Sequence, residues 1–217
     1  TEQSQELQTD FQSVGAQSVN NLANKLMLAL FAPSRPFFRL DIPNDLAQKL
    51  GITQDDLAGA LSLAEKRAVR RLDQMGVRPK LYEAMKHLIV TGNCLLILGK
   101  KGGPPMRVLG LKRYNVKRSM SGKVIEIVIH EKVRFDELDS DVQAHLKKEY
   151  AQRYGAMDPM EPGTCGEVSY FKWIRWDGIQ NYLVTTHVDD CELGDDFKAK
   201  YTEDTLPYRA LTWELHD

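Results

Sequence analysis

The dominant hydrophobic period changes at Gly92-Asn93, and no other feature constrains the fold as much. Before that point apolar residues recur at three- and four-residue steps, the spacing that stacks side chains on one helical face. After it, short β-branched and aromatic runs alternate with turn residues, as strands do. The expectation is an α+β chain. Residues 1–92 should be helical, with three main helices, and residues 93–217 β-rich, with hairpins and one inserted helix.

Within the first part, Val19, Leu22, Leu26 and Leu30 predict a helix over Phe11 to Phe31. Pro33 and Pro36 end it, because proline lacks the amide donor and disfavours helical geometry in the residue before it. Phe37 to Ile42 reads as a strand. A second helix is signalled by Thr53 as N-cap, with Asp55 and Asp56 in the first turn, where the helix dipole favours negative charge. Its apolar stripe is Leu57, Leu61, Ala64, Ala68 and Leu72. Glu65, Lys66, Arg67, Arg70 and Arg71 form the opposite face, and Gly76 closes it. A third helix runs from Pro79 to Thr91, presenting Leu81, Met85 and Leu88.

In the second part, Cys94 to Leu98 predicts a buried strand, and Lys100 to Pro105 an exposed loop tip. Val108 to Leu111, Tyr114 to Arg118 and Val124 to Ile129 follow as strands. Asp139 to Tyr154 is the inserted helix, with Val142, Leu146 and Tyr150 at four-residue steps, and Met157 to Gly166 is a loop. Val168 to Trp176 then meets Asp177-Gly178 and returns through Ile179 to Val188, a hairpin signature. Arg209 to Leu215 is a last short strand.

Charge is segregated although the chain's net charge is only −1. Between Ala84 and Ile125 there is no Asp or Glu, yet there are nine Lys or Arg residues. From Asp136 onward 18 acidic residues face 8 basic ones, a local balance of −10. Segregation of this kind places opposite signs on different faces or on complementary surfaces of neighbouring subunits. Lys100, Lys101, Arg107, Lys112, Arg113, Lys117, Arg118 and Lys123 are therefore the candidate contact residues. Their partner is either DNA, whose phosphates such side chains bind without sequence specificity, or another subunit.

Signals of bond-making chemistry are weak. Gly99-Lys100-Lys101 suggests a phosphate loop, but Cys94 stands where the loop's first glycine belongs and Lys101 replaces the hydroxyl residue. Cys165, His187 and Cys191 lack the close pairing common in zinc sites. No Gly-x-Ser-x-Gly elbow occurs. Asp189-Asp190 and Asp195-Asp196 resemble metal-binding pairs but lie in a polar stretch, which reads as a solvated edge. The residues therefore predict no catalytic centre, metal or cofactor. Two alternatives stay open: a metal-dependent nucleic-acid-processing enzyme using the late acidic residues, and a small DNA-binding adaptor. Three widely spaced cysteines fit a reducing compartment rather than a disulfide framework. The longest apolar run, Cys94 to Leu98, is far short of the roughly 20 residues of a membrane span.

Three stretches carry a resemblance. Thr9 to Ala16, continuing through Val19-Asn20-Asn21-Leu22-Ala23-Asn24-Lys25-Leu26 to Phe31, is similar to the opening of portal (head-to-tail connector) proteins of short-tailed, podovirus-type phages. Leu81-Tyr82-Glu83-Ala84-Met85-Lys86 through Leu96 resembles that family's helix-into-strand unit. Leu206-Pro207-Tyr208-Arg209 through Trp213 resembles the stretch before its first channel-lining stem helix. The resemblance covers nearly the whole chain but only the N-terminal, wing-type half of a family member; nothing here matches the stem, clip, tunnel-loop or crown elements. It implies a structural, non-enzymatic subunit of a ring of twelve at one capsid vertex of the virion, assembled in the host cytoplasm. The implied partners are the terminase packaging motor, capsid and scaffolding proteins, tail adaptors and double-stranded DNA, with no membrane.

Overall fold

The computed structural model describes residues 13–33, 35–43, 54–99, 106–154 and 167–213. Two compact units emerge: residues 1–92 with 99–108, and residues 93–98 with 109–217.

Among the described residues, the first unit holds three helices, α1 (Val14–Leu30), α2 (Gln54–Gln74) and α3 (Val77–Thr91). In the helices the buried apolar side chains are Ala23 of α1, Val69 of α2, and Ala84, Met85 and Leu88 of α3. Small residues at the crossing let α1 lie against α3, where the Tyr82 hydroxyl donates to Asn20 Oδ1 at 3.3 Å. Arg78, in the first turn of α3, fixes the exit of α1. Its guanidinium donates to the Phe31 carbonyl, to the Ala32 carbonyl at 3.3 Å, and to Asp73 Oδ1 at 2.6 Å.

Both glycine stops behave as expected. Gly76 (φ 66°) and Gly92 (φ 70°) take the left-handed conformation that glycine adopts without Cβ penalty, and the Gly92 N–H donates to the Leu88 carbonyl at 2.9 Å.

Two expectations need correction here. Phe37 to Ile42 forms no strand. The Leu40 amide, which a ladder would need, donates instead to Glu65 Oε1 at 2.7 Å. On α2, Leu57, Leu61, Ala68 and Leu72 are half-buried as expected, but Ala64 is exposed, Val69 is buried, and Glu65 of the expected polar face is half-buried. Thr53 lies outside the described residues.

The second unit is β-rich. Strand β1 (Asn93–Ile97) pairs antiparallel with β9 (Tyr208–Thr212), Asn93 opposite Thr212 and Ile97 opposite Tyr208. Residue Leu109, at the end of β2 (Arg107–Leu109), joins this unit's core. A six-stranded antiparallel sheet follows. Its path is β3 (Tyr114–Arg118), β4 (Val124–Arg134), β5 (Glu167–Trp176), β6 (Asn181–Val188) and β7 (Cys191–Glu192), with β8 (Ala199–Thr202) also on β6. Period-2 alternation sends Ile127, Ile129, Ile174, Tyr182 and Val184 to one face, where they pack with Leu95, Leu109, Leu206 and Tyr208. Each such aliphatic side chain contributes about 1.5–3 kcal/mol by leaving water. The inserted helix α4 (Ser140–Tyr154) covers the far end of the same face, with Val142 and Leu146 against Val168, Val188, Cys191 and Leu193.

Three expected strands keep their type with shifted ends: Cys94–Leu98 becomes β1, Val124–Ile129 runs on to Arg134, and Arg209–Leu215 becomes β9. Leu111 leaves its expected strand for a 3-10 turn, Leu111–Arg113, closed by the Arg113 amide on the Gly110 carbonyl at 3.0 Å. The β5–β6 hairpin forms, but not around a two-residue Asp-Gly turn. Asp177 Oδ1 accepts from the Ile179, Gln180 and Asn181 amides, each at 2.9 Å, and so organises a longer loop. Residues 100–105 and 157–166, where loops are expected, lie outside the described residues.

Candidate functional site

Five of the eight candidate contact residues, Lys112, Arg113, Lys117, Arg118 and Lys123, sit on the first strand of the large sheet and the turns that flank it, and they differ in what holds them. Along β3, Tyr114 is buried and Val116 half-buried on the core face, which leaves Asn115 and Lys117 exposed on the other. Strand alternation puts Arg118 on the face of Tyr114 and Val116, off the exposed row, beside an irregularity where the partner strand skips from Glu126 to Val124. The Arg118 guanidinium donates to the carbonyls of Gly122 at 3.1 Å and Ala210 at 3.2 Å, joining the β3–β4 turn to β9. Lys123 lies 3.7 Å from the centroid of the Trp176 ring and 3.0 Å from Glu203 Oε2. Both groups are thus engaged within their own unit. The partly exposed ion pair with Glu203 contributes at most about 1 kcal/mol.

Lys112 and Arg113, on the 3-10 turn, and Lys117 project to solvent; Arg113 reaches Glu131 at only 3.7 Å. Arg107 is exposed on β2, in the first unit by residue grouping. Lys100 and Lys101 lie outside the described residues. The structure therefore gathers Lys112, Arg113 and Lys117 on one flank of the sheet, with Arg118 and Lys123 as internal ties beside them.

The acidic residues occupy the opposite flank. Asp189 takes a left-handed conformation (φ 49°) at the β6–β7 turn. Its carboxylate accepts from the Ser169 amide at 2.9 Å and its own amide donates to the Ser169 carbonyl at 2.8 Å. Asp195 bonds Lys198 at 2.8 Å, and the same ammonium reaches Glu192 at 3.1 Å. The Lys198 hydrogen bond holds the Asp195 carboxyl below its ordinary range. His187 faces Thr185 Oγ1 at 3.4 Å, Cys191 is buried, and Cys165 lies outside the described residues. No group of three or more His, Cys, Asp or Glu side chains among the described residues could hold a metal ion. No described helix is long and apolar enough to cross a membrane.

Sequence reasoning missed two features of the sheet. Lys172 lies on the core face with Ile174, and its ammonium sits 5.5 Å from the Tyr170 ring centroid. Burial pushes the Lys172 ammonium down, but Tyr208 and Tyr170 outweigh that and hold it above its ordinary value. Strand parity carries the signal, since Lys172 is two residues from Ile174 and from Tyr170. The second is a polar-aromatic row on the outer face. Trp173 Nε1 donates to Glu126, the Arg175 guanidinium sits 4.7 Å from the Trp173 ring centroid, and His130 stacks on Phe171 at 4.5 Å.

Comparison with known proteins decides what kind of molecule bears these two charged flanks. A family model described as bacteriophage head to tail connecting protein matches residues 1–177. The chain belongs to that family. The connector chain is 34% identical over 206 residues to the portal protein of Enterobacteria phage T3, covering 92% of the chain and 36% of that relative. It is 30% identical over 213 residues to the portal protein of Enterobacteria phage SP6, covering 95% and 39%. With the portal protein of Escherichia phage T7 it shares 38% over 146 residues, covering 64% and 27%. The connector chain thus spans less than two fifths of the length of each of these relatives.

Proposed function

We propose that this chain is the wing-type, N-terminal portion of a phage portal subunit. It acts as a structural connector at one capsid vertex, through which DNA is packaged, to which the tail attaches, and from which DNA is ejected. Residues 1–92 are the helical part of the wing and residues 93–217 its β-rich part. The subunit closes into a ring of twelve, docks the terminase motor, capsid and scaffolding proteins and then tail adaptors, and passes double-stranded DNA without reading its sequence. It is assembled in the host cytoplasm and becomes part of the virion. The observation that carries this reading is the family match over residues 1–177 together with likeness to portal proteins across 92–95% of the chain.

The physical role is geometric. Two packed units make rigid bodies, and charge of opposite sign on separate flanks suits a head-to-tail contact between identical copies, which needs two different patches per subunit. Electron microscopy of the full-length protein tests the proposal. Closed rings with a central hole are expected, whereas the 217 residues alone should be monomeric or weakly associating. Dispersed full-length monomers under assembly conditions would overturn it. So would magnesium-dependent cleavage of plasmid DNA that disappears when Asp189 and Asp190 become Asn.

A further inference from the structure

We infer that the Leu111–Arg113 turn of one copy docks against the Asp189–Asp196 flank of the next copy, a contact that rests on the ring reading above. The two surfaces are opposite borders of one sheet: β3 ends its path on one side, and β7 with β8 lies beyond β6 on the other. One border presents Lys112 and Arg113, with the half-exposed Leu111 preceding them in the same turn. The other presents Asp189, Asp190, Glu192, Asp195 and Asp196, with Lys198 held between Glu192 and Asp195.

Register places the two patches at the same height. Tyr114 is opposite Ile129, Ile129 opposite Lys172, and Lys172 opposite Thr186. The next residue of β6, His187, is opposite Glu192. The basic turn, immediately before Tyr114, therefore lies within about one strand residue, roughly 3.3 Å, of the acidic border. A neighbour displaced across the sheet, or rotated about an axis along its strands, brings the patches together with almost no slip.

The other end of the borders behaves differently. Lys117 is level, through Glu126, Arg175 and Leu183, with Lys200 of β8, a like charge. Lys123 already satisfies Glu203 within one copy. The contact is thus confined to the turn end, where Arg113 and Glu131, and Lys198 with Glu192 and Asp195, are the ion pairs that must share or yield.

The test uses two variants of the full-length protein, Lys112→Glu/Arg113→Glu and Asp190→Lys/Glu192→Lys/Asp196→Lys, examined by sedimentation velocity and microscopy. Each alone should need about tenfold more protein to assemble, and an equimolar mixture should recover assembly to within about threefold, because every mixed contact restores opposite signs. Lys200→Glu alters one flank charge as strongly but should not weaken assembly. If wild-type rings form and both variants match them, or the mixture fails to recover, the docking inference falls and the ring reading stands. If the wild type forms no ring, both fall. Circular dichroism of each variant separates misfolding from lost contact.

Discussion

Arg118 separates an internal tie from a surface cation more sharply than any other residue of the basic strand. Truncating it to Ala removes two hydrogen bonds from a charged donor, to Gly122 O at 3.1 Å and Ala210 O at 3.2 Å. Such bonds contribute about 1.5–3 kcal/mol each when shielded. Both here are long, and Arg118 is half-buried, so water can replace part of what is lost. We expect a net loss of about 2 kcal/mol, or roughly 4–8 °C in Tm for a chain of this size. Arg118→Lys keeps the charge but not the planar fork, so it should recover about half. Lys117→Ala, one residue away and exposed, should stay within about 0.5 kcal/mol of the wild type. Urea unfolding followed by tryptophan fluorescence reads all three. Equal stability of Arg118→Ala and Lys117→Ala would refute the assignment, because both would then be solvated cations with equivalent roles.

Burial pushes the Cys94 thiol up to about 11, and burial followed by the nearby Cys94 charge pushes the Tyr114 hydroxyl to about 12. Their neutral forms are favoured in the fold, so this contribution is complete below about pH 9 and lost as pH rises through 11 and 12. The urea midpoint should be flat from about pH 7 to 9 and then fall, with a later onset in Cys94→Ala. At Asp177 the Asn181 and Ile179 amides hold the carboxyl below its ordinary range, so loop protection should persist above about pH 4 and fade on further acidification. Hydrogen exchange at residues 179–181 should quicken in Asp177→Ala and much less in Asp177→Asn, which keeps an acceptor oxygen. Nothing lies within 4 Å of a Cβ at Gly92, so Gly92→Ala meets only the left-handed backbone (φ 70°) and should cost about 1–2 kcal/mol by thermal unfolding.

Element type was legible wherever periodicity was long or turn chemistry strong. Four-residue spacing located α2, α3 and α4, and β-branched runs located β4, β5 and β6, because burial of one face enforces those periods. What failed depended on a single distant partner. Phe37 to Ile42 has strand composition, but the Leu40 amide goes to Glu65, twenty-five residues ahead. The short β7 and β8 carry too few residues to show a period and exist because β6 offers an unpaired side. In the candidate site, the charge segregation was visible in the letters. Which cations remain available was not, since Arg118 and Lys123 are claimed by Ala210, Trp176 and Glu203 across long sequence separations.

The pairing of Asn93 with Thr212 has a consequence for synthesis. At about 5–20 residues per second, a nascent strand waits roughly 6 to 24 seconds for a partner some 120 residues downstream. Throughout that delay Cys94, Leu95 and Leu96, which finish almost wholly hidden, lack the β9 side of their ladder. Translation is therefore the most hazardous moment in the life of this unit. A ribosome stalled before Tyr208 would leave a sticky, half-made sheet, so folding yield should depend on the speed of elongation through the last third of the message.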